Sequence, residues 1–144
     1  MHRFTRTAIA AAALSVLMLG GGVAAANATA AIPVNNGQET TGAAGGAHGK
    51  FSYTIDGDQF CYTLKVTGLT GGAIAAHIHL APQGFAGPVK IPLTVPNETS
   101  FDVATCTTVS DASILAGIQA NPRGWYVNVH TVMFMGGEVR GQLK

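Results

Sequence analysis

Residues 50–69 read KFSYTIDGDQFCYTLKVTGL. Phe51, Tyr53 and Ile55 alternate with Lys50, Ser52 and Thr54. After Asp56-Gly57, Phe60, Tyr62, Leu64 and Val66 alternate with Cys61, Thr63, Lys65 and Thr67. Successive strand side chains point to opposite faces, so each run buries one face and leaves the other polar. Asp-Gly between two such runs is a strong hairpin signal. The stretch therefore reads as an antiparallel hairpin with one buried face, and the remaining segments follow its pattern.

Toward the C-terminus, TGG (70–72) is a turn, and AIAAHIHLA (73–81) alternates again. Ile74, Ala76, Ile78 and Leu80 form the expected inner face, opposite Ala75, His77, His79 and Ala81. PQGFAGP (82–88) is a loop, and VKIPL (89–93) is an edge strand because Pro92 cannot donate to a ladder. SFDVATCTTV (100–109) is a further strand, with Phe101, Val103 and Thr105 on one face. SDASILAGIQANP then breaks the period: Ser110 or Asp111 offers an N-cap, Ile114, Leu115 and Ile118 form an apolar stripe, and Asn121-Pro122 stops it. That predicts one short helix, about residues 111–120. WYVNVHTVMF sets Trp125, Val127 and Val129 against Tyr126, Asn128 and His130, and EVRGQLK closes the chain with Val139 and Leu143 inward. Short alternating strands, glycine turns and one small helix define a mainly β protein, an antiparallel β-sandwich or barrel.

Toward the N-terminus, residues 29–47 read as a short strand near Ala31–Val34 and a flexible loop, ahead of a β-domain over 48–144. Residues 1–28 have the parts of a secretory signal peptide: a basic start (MHRFTR), an apolar stretch and A-x-A endings that fit cleavage after Ala28 or Ala30. The expected location is secreted, with no membrane attachment after removal of the leader. The exported part carries six lysines and arginines against seven acids, so it offers no basic stripe for nucleic acid. Cys61 and Cys106, an even count in an oxidising compartment, predict a disulfide. Closing that loop contributes about 4 kcal/mol on the chain-entropy argument.

AAHIHLAPQGFAGPVKIPL (75–93) and ILAGIQANPRGWYVNVHTVMFMGGEVRGQL (114–143) resemble the two halves of the chordin-type (CHRD) domain. The similarity runs from about Lys50 to Leu143. It implies an extracellular β-sheet module of the stand-alone exported kind found in bacteria, with an extracellular or cell-envelope partner. It carries over no catalytic residue. By position, His77 and His79 match the family's H-x-H, and Asn128, His130 and Thr131 match its V-N-V-H-T segment. H-x-H on a strand of an exported, disulfide-bonded sandwich is also similar to copper/zinc superoxide dismutase. The paired metal site of that enzyme needs more histidines and an aspartate, whereas only His48 and His130 stand outside the H-x-H in the exported part.

His77 and His79 lie on one face, about 7 Å apart along the strand. Imidazole suits copper or zinc, and His130 in matching phase on a neighbouring strand completes a three-histidine set. Asn128, Thr131 or Tyr126 would then orient an imidazole from behind. The alternative makes the histidines structural, bonded to Asn128, Tyr126 or backbone carbonyls. Trp125 is expected in the core, Met133 and Met135 as packing residues, and Glu138 with Arg140 as an ordinary surface pair. No acid–base pair or nucleophile elbow appears. The sequence thus reads as a non-catalytic binding or interaction module. Its alternative is a mononuclear protein for copper, or secondarily zinc, using His77, His79 and His130, with superoxide-dismutase-like redox chemistry.

Overall fold

Eight antiparallel strands form one sheet in the order β5-β4-β7-β8-β1-β2-β3-β6, curled into a nearly closed barrel. The structure is a computed structural model and describes residues 28–144. The expected leader falls outside those residues, apart from Ala28. In chain order the strands are β1 (Ile32–Asn35), β2 (His48–Asp56), β3 (Gln59–Thr67), β4 (Ala73–Leu80), β5 (Val89–Leu93), β6 (Phe101–Thr108), β7 (Trp125–Thr131) and β8 (Val139–Gln142). Among the described residues there is one α-helix, α1 (Ala112–Ala120), which starts at Asp111, whose carboxylate accepts from the Ser113 N–H. It buries Leu115 and Ile118.

The hairpin read from residues 50–69 is β2 and β3, paired without interruption from Asp56↔Gln59 to His48↔Thr67. Its inner face supplies the aromatic centre of the barrel. Phe51, Tyr53, Phe60 and Tyr62 are buried with ring centroids 5.2–6.4 Å apart. Stacking at these distances adds to the burial of large apolar surface. On the outer face Cys61 of β3 opposes Cys106 of β6, and the two form a disulfide. β5 and β6 are the sheet's edges. Across the seam between them the Tyr62 hydroxyl bonds the backbone of Thr94 both ways, accepting from its N–H and donating to its carbonyl. As expected, Pro92 sits on an edge strand, where the absent N–H costs no ladder bond.

β4 departs from the expected alternation. Ala76 and Ile78 face the core, but Ile74 is 45% exposed and Leu80 is 40% exposed. The register against β7 jumps from Ala73↔Thr131 to Ala75↔His130, so Ile74 is the extra residue of a bulge and leaves the inner face. Leu80 stands where the strand passes into the 81–88 loop. β7 departs differently, because all seven of its residues are buried. Trp125, Val127 and Val129 enter the core as expected. The outward side chains of Tyr126, Asn128 and His130 are covered by other segments.

Candidate metal centre on the covered face

Three segments lie over the outer face of β4, β7 and β8. The first is the chain after β1, which is read from the sequence as a flexible loop. Glu39 accepts from Asn128 Nδ2 at 2.7 Å, and the Thr41 hydroxyl donates to the Gly137 carbonyl at 2.8 Å. The second is the 82–88 loop, which Arg140 holds by donating to the carbonyls of Phe85 and Pro82 at 2.8 and 2.9 Å. The third is the turn between β7 and β8, tied to β7 by the Met135 carbonyl. Two glycines permit these approaches. A Cβ on Gly87 would meet the Leu80 carbonyl, and one on Gly137 would meet the Asn128 amide, with Gly137 already at φ 126°.

The structure brings His77, His79 and His130 together between these covers. One ring nitrogen from each lies within 4.8 Å of the others. The strand register accounts for this: on the outer face His79 lies opposite Tyr126, His77 opposite Asn128, and the bulge at Ile74 places His130 beside Ala75. His79 and His130 are buried, while His77 is partly open. His48 is not part of the group. It is exposed at the start of β2, bonded to the Gly46 carbonyl.

Hydrogen bonds fix the tautomers. His79 Nδ1 is 2.9 Å from the Gly87 carbonyl, and His130 Nδ1 is 2.9 Å from the Met135 carbonyl. A carbonyl only accepts, so both Nδ1 atoms carry hydrogen and both Nε2 atoms present a lone pair. His130 Nε2 takes the Nδ1–H of His77 at 3.0 Å, whereas the buried His79 Nε2 has no partner. Burial holds all three imidazoles below the usual histidine range. His77 is brought down to about 4 by burial and by the neighbouring His130 and His79. The cluster is therefore neutral at pH 7, the state in which imidazole binds a metal.

The other expected residues occupy varied places. Tyr126 stacks flat on His79, with centroids 4.7 Å apart and planes 7° apart, and its hydroxyl accepts from the Gly87 N–H. Asn128 bonds Glu39 and Thr131 bonds Glu138, rather than an imidazole. The expected surface pair Glu138–Arg140 is a correction. Both are buried, because the neighbouring segments close over them, and they bond elsewhere. Glu138 accepts from the Thr70 N–H and from the hydroxyls of Thr70 and Thr131. The Arg140 guanidinium lies 3.4 Å over the Tyr126 ring. Met133 and Met135 are a second correction: at 72% and 74% exposed, their side chains lie in solvent on the outside of the turn and fill no core. The sequence reading missed Glu39, the carbonyls of Gly87 and Met135, and the stack on Tyr126. Backbone carbonyls leave no trace in residue identity. The charged pair in GGEVRG was the available sign that this strand differs.

These features define a disulfide-bonded β-barrel with a buried three-histidine cluster on its outer face. Residues 25–143 match the family model of the CHRD domain, and the chain belongs to that family. No curated protein and no solved structure matches it. CHRD domains are extracellular, and the disulfide fits such a setting. Among the described residues no helix is long and apolar enough to cross a membrane.

Proposed function

We propose that this CHRD domain, exported through a cleaved leader, is a binding module whose histidine cluster holds one transition-metal ion, copper before zinc. One observation carries this reading: two buried imidazoles have their Nδ1–H groups committed to backbone carbonyls, which turns both Nε2 lone pairs into the cluster, one of them unpartnered. Metal-bound histidines are oriented in this way, and an unbonded polar atom in a buried site otherwise costs about 1–3 kcal/mol. Metal–nitrogen bonds of about 2.0–2.1 Å set three ligands roughly 3.3–3.6 Å apart in tetrahedral or trigonal geometry. From ring nitrogens that lie within 4.8 Å of one another, the widest pair would close by roughly 1–1.5 Å. The ion would replace the proton shared by His77 and His130, which His77 can carry on its other nitrogen. Three imidazoles leave a coordination position open, and copper(II) outranks zinc at such a site.

The test is titration of the exported chain with Cu(II), Cu(I) and Zn(II), repeated with His79→Ala and His130→Ala. One ion per chain is expected, with affinity falling at least 100-fold in either variant. Equal uptake by the variants would end the metal reading. The domain would then be an interaction module whose histidines only join strands, with an extracellular partner meeting the turn that exposes Phe85.

A further inference from the structure

The oxidation state of the ion follows from what stands behind the cluster. Resting on the metal reading above, we propose that the site takes copper as Cu(I), and that Arg140, acting through Tyr126, sets this preference. β7 runs between β4 and β8, so the Tyr126 ring is held between His79 on one side and Arg140 on the other. Its centroid is 4.7 Å from the imidazole and 3.4 Å from the guanidinium carbon, which puts a full positive charge roughly 8 Å from a metal ligand.

No carboxylate is hydrogen-bonded to that charge, and the one acid that faces it, Glu39, does so without a direct contact. Arg140 is 1% exposed, and its donors go to the carbonyls of Phe85 and Pro82 and to the Gln142 side-chain oxygen, all neutral. The one salt bridge among the described residues, Lys65–Asp102, lies on the other side of the barrel. A buried cation with no carboxylate bonded to it is a costly arrangement for stability alone. Its field opposes each added positive charge on the ion, so it favours Cu(I) over Cu(II) and Zn(II). The cluster adds no anionic ligand to offset this, because its three ligands are all histidines. The turn beside His130 points the same way. Met133 and Met135 are exposed on the turn whose carbonyl fixes His130, and thioethers select Cu(I). Arg140 is a positioning and tuning residue here, since it does not touch the ion.

The experiment compares Cu(I) affinity, by anaerobic competition with bicinchoninate, against Cu(II) affinity, by competition with nitrilotriacetate, at pH 8. Tighter Cu(I) binding is expected in the wild-type chain. Arg140→Gln should lower the Cu(I)/Cu(II) affinity ratio about tenfold, a fall in potential of about 59 mV for one electron. Arg140→Lys should restore most of it. Because Arg140→Gln also disturbs two loop contacts, Glu39→Gln provides a second arm: it removes the negative charge facing Arg140 and should raise the ratio. No copper bound in either state would overturn the metal reading itself. Copper bound in both states, with the ratio unmoved by Arg140→Gln or by Glu39→Gln, would overturn this inference and leave the site standing.

Discussion

The two sides of this barrel treat their outer faces in opposite ways. On β3 burial alternates strictly: Phe60, Tyr62, Leu64 and Val66 are inside, while Thr63, Lys65 and Thr67 are in solvent. On β7 every residue is buried, and so are Glu138 and Arg140 in and beside the neighbouring strand β8. The first side is the economy expected of a half-solvated antiparallel sheet, with its outer face tied by a disulfide. The second buries polar groups over a surface that adds little apolar contact. Such groups must then be bonded within the protein. Most are, but His79 Nε2, Arg140 Nε and the side-chain oxygens of Asn128 and Asn36 are not. Cover without hydrophobic return, together with unpartnered polar atoms, is the feature that the proposed metal site would account for.

The comparison breaks most sharply at two carboxylates. Glu138 on the covered side accepts three hydrogen bonds at 2.7–2.9 Å and is fully buried. Asp102 on the open side faces Lys65 at 3.5 Å, with both side chains more than half exposed. Glu138→Ala strands three donors and should cost about 4 kcal/mol in urea unfolding. Asp102→Ala should cost under about 0.5 kcal/mol. Similar values for both would mean that the covered face is no more than shaded surface.

Legibility in the sequence divides along the same line. On the open side, period-two patterning placed the β2–β3 hairpin, the inner faces and the two cysteines. The helix start and stop were legible from Asp111 and Asn121-Pro122 because capping is local chemistry. On the covered side the same pattern gave the right strands and the wrong exposures. Tyr126, Asn128 and Arg140 sit at outward positions, and only the return of residues 39–41 and 82–88 over them makes them interior. No local rule reports a long-range cover. The H-x-H spacing and the phase of His130 did suggest the cluster, because both follow from strand periodicity. The carbonyls that set the tautomers belong to Gly87 and Met135, and any residue type could have supplied them.

A smaller effect tests whether the cover itself has a cost. Glu39 lies over β7 facing Asn128 and Arg140. Burial pushes its carboxyl up to about 7, against partial opposition from the Arg140 charge and the Thr40 N–H. A carboxyl raised in the folded state binds more protons than in the unfolded chain between its two values. Its contribution is therefore fully present below the unfolded value near 4.5 and lost as pH rises through about 7. The lowered histidines act in the opposite sense, their contribution falling away as pH drops below the ordinary histidine value. Both proteins in the comparison share those histidines, so the difference between them isolates Glu39. Glu39→Gln keeps an oxygen to accept from Asn128 and removes the charge. It should match the wild-type chain at pH 4.5 and exceed it at pH 8 by on the order of 1 kcal/mol, after discounting for partial exposure. In thermal unfolding that is a gain of roughly 3–5 °C, present only at the higher pH. A gain equal at both pH values would assign the effect to packing. No gain at pH 8 would mean that Arg140 already balances the Glu39 charge, and that the buried cation is less isolated than its hydrogen bonds suggest.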